Sequence, residues 1–439
     1  MLAYHYASGE SWEKAYQYLK LSGDKTLRTH SLWEPFRFYR EALEALRKLP
    51  ETEENKRSEI DVRLSLISPM IALFFPEDSL EILQEGERLS RELGDERSLA
   101  RFHGGLGSYY LLRDSRQARE YLEDAFQAAE KAQDIDLMAP LGYQICVMYW
   151  VQGDWLKVAD VAPRVIALLE SAQRESHFFG VASPPYSYLV SVYGAALACL
   201  GNFQEGRAQC EKALRFSTKI NNVISISWAE CMYGMLFAFQ GDGKGAIEHA
   251  QQAIKYAEPV QMVNVLSLAW QVFGLGHYFI GDYENALKYM EKAQEIMRDS
   301  GMPVPSAYLA YLCLVYIELG DLGNARSCAE KALELAQQEQ EKRSEGLSSM
   351  HLGLILGMQD KSRWAEAEGC IIRGMETLRE LKLRPYYARG YLYLGELYAH
   401  TGQRERALEI LKKAHGMFQE MGMEYHLRRT RVALENLQA

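Results

Sequence analysis

The chain has 439 residues, with 49 lysines and arginines against 59 aspartates and glutamates, which gives a formal net charge of -10. This balance argues against nucleic-acid binding, because a basic stripe normally supplies affinity for phosphates. Hydrophobic residues make up 48% of the chain, which predicts a folded protein. The seven cysteines are scattered without a Cys-x-x-Cys pair, so we expect buried, reduced thiols and no metal site.

The first 95 residues predict divergent helical repeats. Met1–Ala7 has an amphipathic helical pattern, and Gly9 and Ala15 belong to a turn-and-alanine phrase that recurs later. A solenoid normally begins with a polar capping unit. Because none is recognisable here, we expect the chain to have been cut from a longer protein. Two helix pairs follow, at Asp24–Leu49 and at Glu59–Ile71 with Leu80–Leu93, the second pair being broken at Phe74-Phe75-Pro76.

Residues 96–423 predict a regular array of repeats. The turn glycines Gly201, Gly241, Gly281 and Gly320 recur every 39 or 40 residues, each followed by Asp or Asn and then by spaced small residues. Self-similarity at such a period indicates a solenoid of stacked units. In each unit the Gly-Asp pair would end one helix and cap the next. We therefore predict an all-α, right-handed superhelical solenoid of about ten helix pairs, ended by a polar capping helix at 424–439.

One step in the array is longer than the others. Successive units are spaced by about 40 residues, but the step that ends at the Tyr188 unit has 48. Insertions in solenoids fall on one face, which is often the binding face. The excess predicts either a functional loop carrying His177, Phe178 and Phe179 or a longer loop of no consequence.

The repeat register predicts which side chains line the inner wall. If Gly194, Gly234, Gly274 and Gly395 occupy equivalent places on the first helices, then the residues six before, three before and one after them face the groove. The candidates for a peptide- or ligand-binding wall are Tyr188, Trp228, Cys231, Met235, Leu268, Gln271, Leu275, Tyr278, Arg389 and Glu396. They are mostly apolar, which suits an amphipathic helix or an extended apolar segment. Equally, tightly curling helices would make some of them ordinary core residues.

These phrases resemble the tetratricopeptide pattern. Leu394-Gly395 and Tyr398, followed by Gly402 and Ala407, reproduce the motif, and the match extends from about residue 96 to 420. The resemblance implies antiparallel helix pairs, with longer helices than usual because the period is near 40. It also implies a protein- or peptide-binding scaffold.

A narrower resemblance concerns the N-terminal region. The segments at 4–19, 22–25 and 38–43 are similar to the first repeats after the nucleotide-binding and winged-helix regions of large bacterial signalling ATPases of the STAND type. In that family the long-repeat array is the sensor, and a cyclase, kinase or DNA-binding effector precedes it. This chain has no phosphate-loop, cyclase or kinase motif, so any such activity would belong to sequence outside it.

Catalytic signals are weak. The ten histidines are isolated from one another, and Asp242 and Asp282 follow turn glycines, which is typical of helix caps. Gly241–Gly245 follows a predicted helix and lacks the Lys-Ser/Thr end of a phosphate loop. The sequence therefore predicts no catalytic residue, no metal and no cofactor.

The expected function is non-catalytic binding of a protein or peptide, as the sensor or scaffold part of a larger bacterial signal-transduction protein. Two alternatives remain: a sensor domain for a small-molecule inducer, and a fragment of a cyclase or ATPase known by its parent's activity. No apolar stretch approaches the ~20 residues of a membrane span, and the N-terminus has no signal-peptide pattern. We expect a cytoplasmic chain with neither membrane nor nucleic acid among its partners.

Overall fold

The structure is a computed structural model that describes residues 5–6, 8–27, 33–111, 113–181 and 183–438. These residues form 21 α-helices and no strands. The first ten are α1 Trp12–Leu27, α2 Trp33–Leu46, α3 Glu53–Ala72, α4 Ser79–Glu92, α5 Glu96–Tyr110, α6 Ser115–Ala132, α7 Ile135–Val151, α8 Trp155–Ser171, α9 Pro185–Cys199 and α10 Phe203–Lys219. The others are α11 Val223–Gln240, α12 Gly243–Ala257, α13 Val263–Ile280, α14 Tyr283–Asp299, α15 Ser306–Glu318, α16 Leu322–Gln338, α17 Lys342–Gln359, α18 Trp364–Glu380, α19 Arg384–His400, α20 Arg404–Met421 and α21 Glu424–Gln438.

The helices are arranged as ten antiparallel pairs plus a final helix, and the pairs stack into a right-handed superhelical solenoid. Each pair consists of an odd-numbered first helix and the even-numbered helix after it. First helices of neighbouring pairs also contact one another, as α9 does α11 and α11 does α13. The predicted all-α solenoid is thus confirmed.

The repeated Gly-Asp phrase ends one helix and starts the next. Gly241 and Gly281 adopt left-handed backbone angles, with φ of 84° and 85°. The Asp242 carboxylate then accepts the backbone N–H of Gly245, and Asp282 accepts that of Asn285. The aspartates are therefore helix caps, as the sequence predicts.

Small residues set the distance between the helices of a pair. Ala246, Ala286 and Ala325, the anchor residues of three second helices, have no exposed surface. A Cβ placed on Gly194 would come within 2.6 Å of the Cys210 sulfur and 2.9 Å of the Gly206 carbonyl oxygen. Larger side chains at these places would separate the helices and weaken the core.

The N-terminal repeats differ from the sequence expectation. Trp12–Leu27 is a single helix and Trp33–Leu46 is the next, so the predicted pair at Asp24–Leu49 is wrong. The sequence pattern did not indicate that α1 is one continuous helix, because α1 contains small and polar residues. One of them, Gly23, packs on the Tyr39 ring. Most of the helix predicted at Met1–Ala7 lies outside the described residues. Residues 28–32, in the middle of the predicted pair, also lie outside them. The break at Phe74-Phe75 is confirmed, with φ of 57° and 58° at the two phenylalanines.

Helix α13 is long and apolar enough, by length and composition, to cross a membrane, and 61% of this 18-residue stretch is buried. It contacts α11, α12 and α14, so its apolar surface is used in packing between repeats. Five of the seven cysteines are buried, and all seven are free thiols.

The superhelix curls until its last repeats touch its middle ones. The hydroxyl of Tyr386 on α19 lies 3.6 Å from the Cys199 sulfur at the end of α9. The Gln240 side chain donates to the carbonyl oxygen of Gly422, just before α21. These contacts close part of the concave face, and an open pocket lined by Glu318, Glu396 and Tyr425 remains beside the last helix.

Candidate binding cavity inside the superhelix

Curling of the solenoid leaves a cavity of about 280 Å³ on its inner side, which is partly open to solvent. One side is formed by α3, α5 and α7, and the other by α11, α13, α15 and the start of α17. The Met302–Pro305 segment before α15 and the turn at Phe74-Phe75 complete the wall. Because first helices from distant repeats meet here, the cavity exists only when the superhelix is closed.

Aromatic rings dominate one side of the cavity. The Tyr143 ring stacks on Tyr188 with their centroids 4.5 Å apart, and both rings meet the Trp228 indole edge-on. Trp150 also contacts Trp228, at 5.8 Å between ring centroids. Rings held in this interlocking arrangement form a rigid apolar surface.

Two polar side chains on the cavity wall are buried without a hydrogen-bond partner among the described residues. They are Trp228, through its indole Nε1, and Gln271, through both atoms of its amide. Their exposed fractions are only 3% and 2%. An unpaired buried polar group costs about 1–3 kcal/mol, so a ligand that pairs with these groups would recover that cost.

The only ion pair that lines the cavity within the described chain is Glu341 with Arg343. The Glu341 carboxylate accepts from Arg343 Nε at 3.2 Å and from the Ser306 hydroxyl at 2.7 Å. It also caps α17 by accepting the Ser344 backbone N–H. A Cβ on Gly153 would lie 2.7 Å from the Arg343 Cβ, which shows how closely the α7–α8 turn approaches this pair. The contact seals one end of the cavity.

The other end of the concave face is covered by α21. Arg429 on this helix donates to Glu318 at 2.9 Å and to Glu396 at 2.8 Å, and so joins α15 to α19. The Tyr425 ring packs on Phe279 at 5.1 Å between centroids and on Tyr278 at 6.1 Å. The sequence predicts a polar capping helix. The structure shows that α21 also turns an aromatic and an ionic side chain, Tyr425 and Arg429, toward the superhelix.

The predicted wall residues fall into three groups. Five line the cavity: Trp228, Met235, Leu268, Gln271 and Leu275. Tyr188 lies behind that wall, and Cys231 is fully buried without lining the cavity. The remaining three lie toward the far end, where Tyr278 and Glu396 contact α21 and Arg389 is buried beside Tyr386.

The wall also contains residues that the sequence analysis did not select. Tyr143 and Val147 on α7 occupy the places three before and one after Cys146, which is the equivalent of Gly234 in that repeat. Extending the register by one repeat would have found them. Trp150, four residues after Cys146, holds the place that Tyr278 holds after Gly274, so the same extension would have found it. Tyr311 and the Met302–Pro305 segment carry no such signal, because their position depends on how the superhelix closes.

The long connection before α9 does not reach the cavity. His177 is exposed, Phe178 has 43% of its surface exposed, and Phe179 is half-buried under the Arg174 guanidinium at 4.7 Å. Residues 172–181 and 183–184 form turns and bends rather than a helix extension. A binding role for this loop stays a prediction.

The architecture is a solenoid of tetratricopeptide-like helix pairs with a cavity on its inner side. Residues 229–438 match the family model of the MalT-like TPR region. The match covers the C-terminal half of the array and extends through α21. Among curated proteins, none matches the sequence.

Three solved structures share this fold at low sequence identity. A Rap protein complexed with competence and sporulation factor is 14% identical, with a TM-score of 0.61, over 83% of this chain and 99% of the other. The Rap conjugation gene regulator of plasmid pLS20 in complex with the Phr* peptide is 16% identical, with a TM-score of 0.54, over 83% and 96% of the two chains. NprR in complex with its cognate peptide NprX is 16% identical, with a TM-score of 0.52, over 83% and 99%. At such identities the similarity concerns the fold alone.

Proposed function

We propose that this chain is a non-catalytic sensor that binds a short peptide segment inside its closed superhelix, as part of a cytoplasmic regulatory protein. The observation that carries the proposal is the apolar cavity inside the superhelix, on whose wall the Trp228 indole and the Gln271 amide lack partners among the described residues. An indole N–H complements a carbonyl oxygen. A carboxamide, with one donor and one acceptor side, complements a peptide group.

The size and charge of the cavity narrow the choice of ligand. A volume of about 280 Å³ lies at the lower end of the range for ligand pockets, about 300–1,000 Å³. This favours a short extended segment over an amphipathic helix, which is ~10–12 Å across. The Glu341–Arg343 pair is internally neutral, but Glu339, which also lines the cavity, accepts only the Ser115 backbone N–H in the described chain and adds a negative charge. The segment entering the cavity should therefore be apolar and carry no negative charge. The shared fold with three repeat proteins that hold named peptides or factors supports the same reading.

Affinity selection from a mixture of random pentapeptides, read by mass spectrometry, tests the proposal. The wild-type chain should retain neutral, apolar peptides. Leu268→Trp should lose them, because the larger ring fills part of the cavity. Ile280→Trp is the matched control on the same helix, since Ile280 is exposed and should tolerate the change. If no peptide is retained, or if both variants retain the wild-type set, the proposal is wrong.

A small-molecule inducer is the second candidate, and the small volume of the cavity, about 280 Å³, favours it. Native mass spectrometry of the purified chain separates the two candidates. A bound small molecule that is absent from Leu268→Trp and present in Ile280→Trp would assign the cavity to an inducer.

A further inference from the structure

A second interior site is indicated by Arg389 on α19. Only 3% of its surface is exposed, yet no hydrogen bond or ion pair joins its guanidinium to the described part of the chain. Its one close partner is the Tyr386 ring, 5.0 Å from the guanidinium carbon. A desolvated cation without a counter-charge is strongly destabilising, so a bound anion that pairs with Arg389 would stabilise the fold.

The other two described arginines with less than a tenth of their surface exposed, Arg63 and Arg343, have carboxylate partners. Arg63 pairs with Glu59 at 3.1 Å, and Arg343 pairs with Glu341 at 3.2 Å. Arg429 holds Glu318 and Glu396, the two carboxylates at the covered end of the concave face. Arg389 is thus the exception among the buried arginines that the structure describes.

The groups around Arg389 are neutral hydrogen-bonding groups rather than acids. The Tyr386 hydroxyl lies 3.2 Å from that of Tyr311, which in turn lines the cavity. His351 and His426 are buried, and the Nδ1 atom of each lacks a partner in the described chain. Burial and then the charge of Arg389 lower the pKa of His351 to about 3, and the same two causes lower that of His426 well below its usual range. Both rings are therefore neutral, which leaves the arginine charge uncompensated.

We propose that Arg389 binds a small anion, of carboxylate size, in the interior between α17, α19 and α21. The guanidinium supplies the charge and a fork of N–H donors that matches a carboxylate, and the neighbouring hydroxyl and imidazole groups supply further hydrogen bonds. The anion is either a free solute or the charged group of a ligand that extends from the cavity past Tyr311. This assignment does not depend on the peptide proposal.

Thermal unfolding of the full chain, with acetate and its neutral isostere acetamide as probes, tests the anion site. Ionic strength is held constant with sodium HEPES, whose bulky sulfonate differs in shape from a carboxylate. A ligand that binds only the folded state raises Tm in a saturable way, here by roughly 2 °C or more near saturation. We expect acetate to raise Tm and acetamide to have no effect.

Variants of Arg389 test whether this residue is responsible for the rise in Tm with acetate. Arg389→Met should lose the acetate response and, in the HEPES buffer without acetate, should unfold at a higher temperature than wild type, since it removes an unpaired buried charge. Arg389→Lys keeps the charge and should retain a weaker response, and this variant serves as the test if the methionine variant does not fold. Arg428→Met, at an exposed position of α21, should respond like wild type.

Two further probes identify the source of the anion. If N-acetyl-leucine raises Tm at lower concentrations than acetate, while its amide has no effect, the anion belongs to a larger apolar ligand. If acetate is equally effective, the anion is a free solute. Equal shifts with acetate and acetamide would show a general solute effect, and an unchanged acetate response in Arg389→Met would show an adventitious ion only. Either result would overturn the proposal. Leu268→Trp should keep the acetate response, so failure of the peptide proposal is distinguishable.

Discussion

Asp282 and Asn202 occupy equivalent places after a turn glycine, yet only Asp282 uses its side chain to cap the following helix. Its carboxylate accepts the Asn285 backbone N–H and side-chain amide and also contacts the His277 ring. Asn202 makes no side-chain bond to its helix. Residues that are alike in the repeat pattern can therefore contribute differently to stability.

Asp282→Ala should lower the free energy of unfolding by about 1 kcal/mol, the usual cost of losing a cap. Asn202→Ala should change it by less than about 0.5 kcal/mol. Urea unfolding of both variants checks this, and equal losses would contradict the assignment of the cap.

The same site predicts a pH dependence. Hydrogen bonds, first of all from Asn285, lower the pKa of Asp282 below its ordinary value. A carboxyl group with a lowered folded-state pKa stabilises the fold above its unfolded pKa of about 3.9, and that stabilisation is lost as pH falls through the folded value. The difference between wild type and Asp282→Ala should therefore narrow below about pH 4.

At the scale of single elements, the sequence predicts the regular repeats well. The Gly-Asp phrase specifies where α11 ends and α12 begins, because a left-handed glycine and a capping aspartate act locally. The same register placed Trp228 and Leu268 on the inner wall. It could not show that Tyr278 and Glu396 would contact α21, because that contact depends on the path of the chain after the last repeat.

The ion pairs of Arg429 with Glu318 and Glu396 join helix α21 to α15 and α19. Arg429→Met should lower the free energy of unfolding by about 1–3 kcal/mol, since it leaves the half-buried Glu318 and Glu396 without their shared counter-charge. Arg431→Met is the control on the same helix. Arg431 is exposed and lies 4.0 Å from Glu424, so its loss should cost less than about 0.5 kcal/mol. Comparable losses in the two variants would mean that α21 is not held by this ionic contact.

At the scale of the whole molecule, closure of the superhelix turns a wall of repeats into a cavity. How far the superhelix closes depends on the sum of small rotations between successive helix pairs, and no single repeat motif determines that sum. The packing of Tyr386 on Phe239, across the interior, is one result. This is why Tyr311 and the Met302–Pro305 segment could not be found from the sequence, whereas Tyr143, Val147 and Trp150 follow the repeat register and could have been found by extending it.

Gly153 and Gly281 provide a matched test of closure. Both have left-handed backbone angles, with φ of 76° and 85°, so alanine would be strained at either. A Cβ at position 153 would also lie 2.7 Å from the Arg343 Cβ, whereas one on Gly281 would meet nothing within 4 Å. Small-angle X-ray scattering should show a larger radius of gyration for Gly153→Ala and an unchanged one for Gly281→Ala. An equal radius in both variants would mean that this contact does not hold the superhelix closed.

The most direct measurement is photo-crosslinking of the selected peptides to benzoylphenylalanine placed at one of two positions of α13. Leu268 lines the cavity, and Ile280, at the end of the same helix, is exposed. Binding inside the closed superhelix predicts crosslinks from position 268 that excess unlabelled peptide abolishes, and none from position 280. Competable crosslinks from position 280 alone would place the peptide in the pocket that Ile280 lines with Glu318 and Tyr425, beside α21, and would contradict the account.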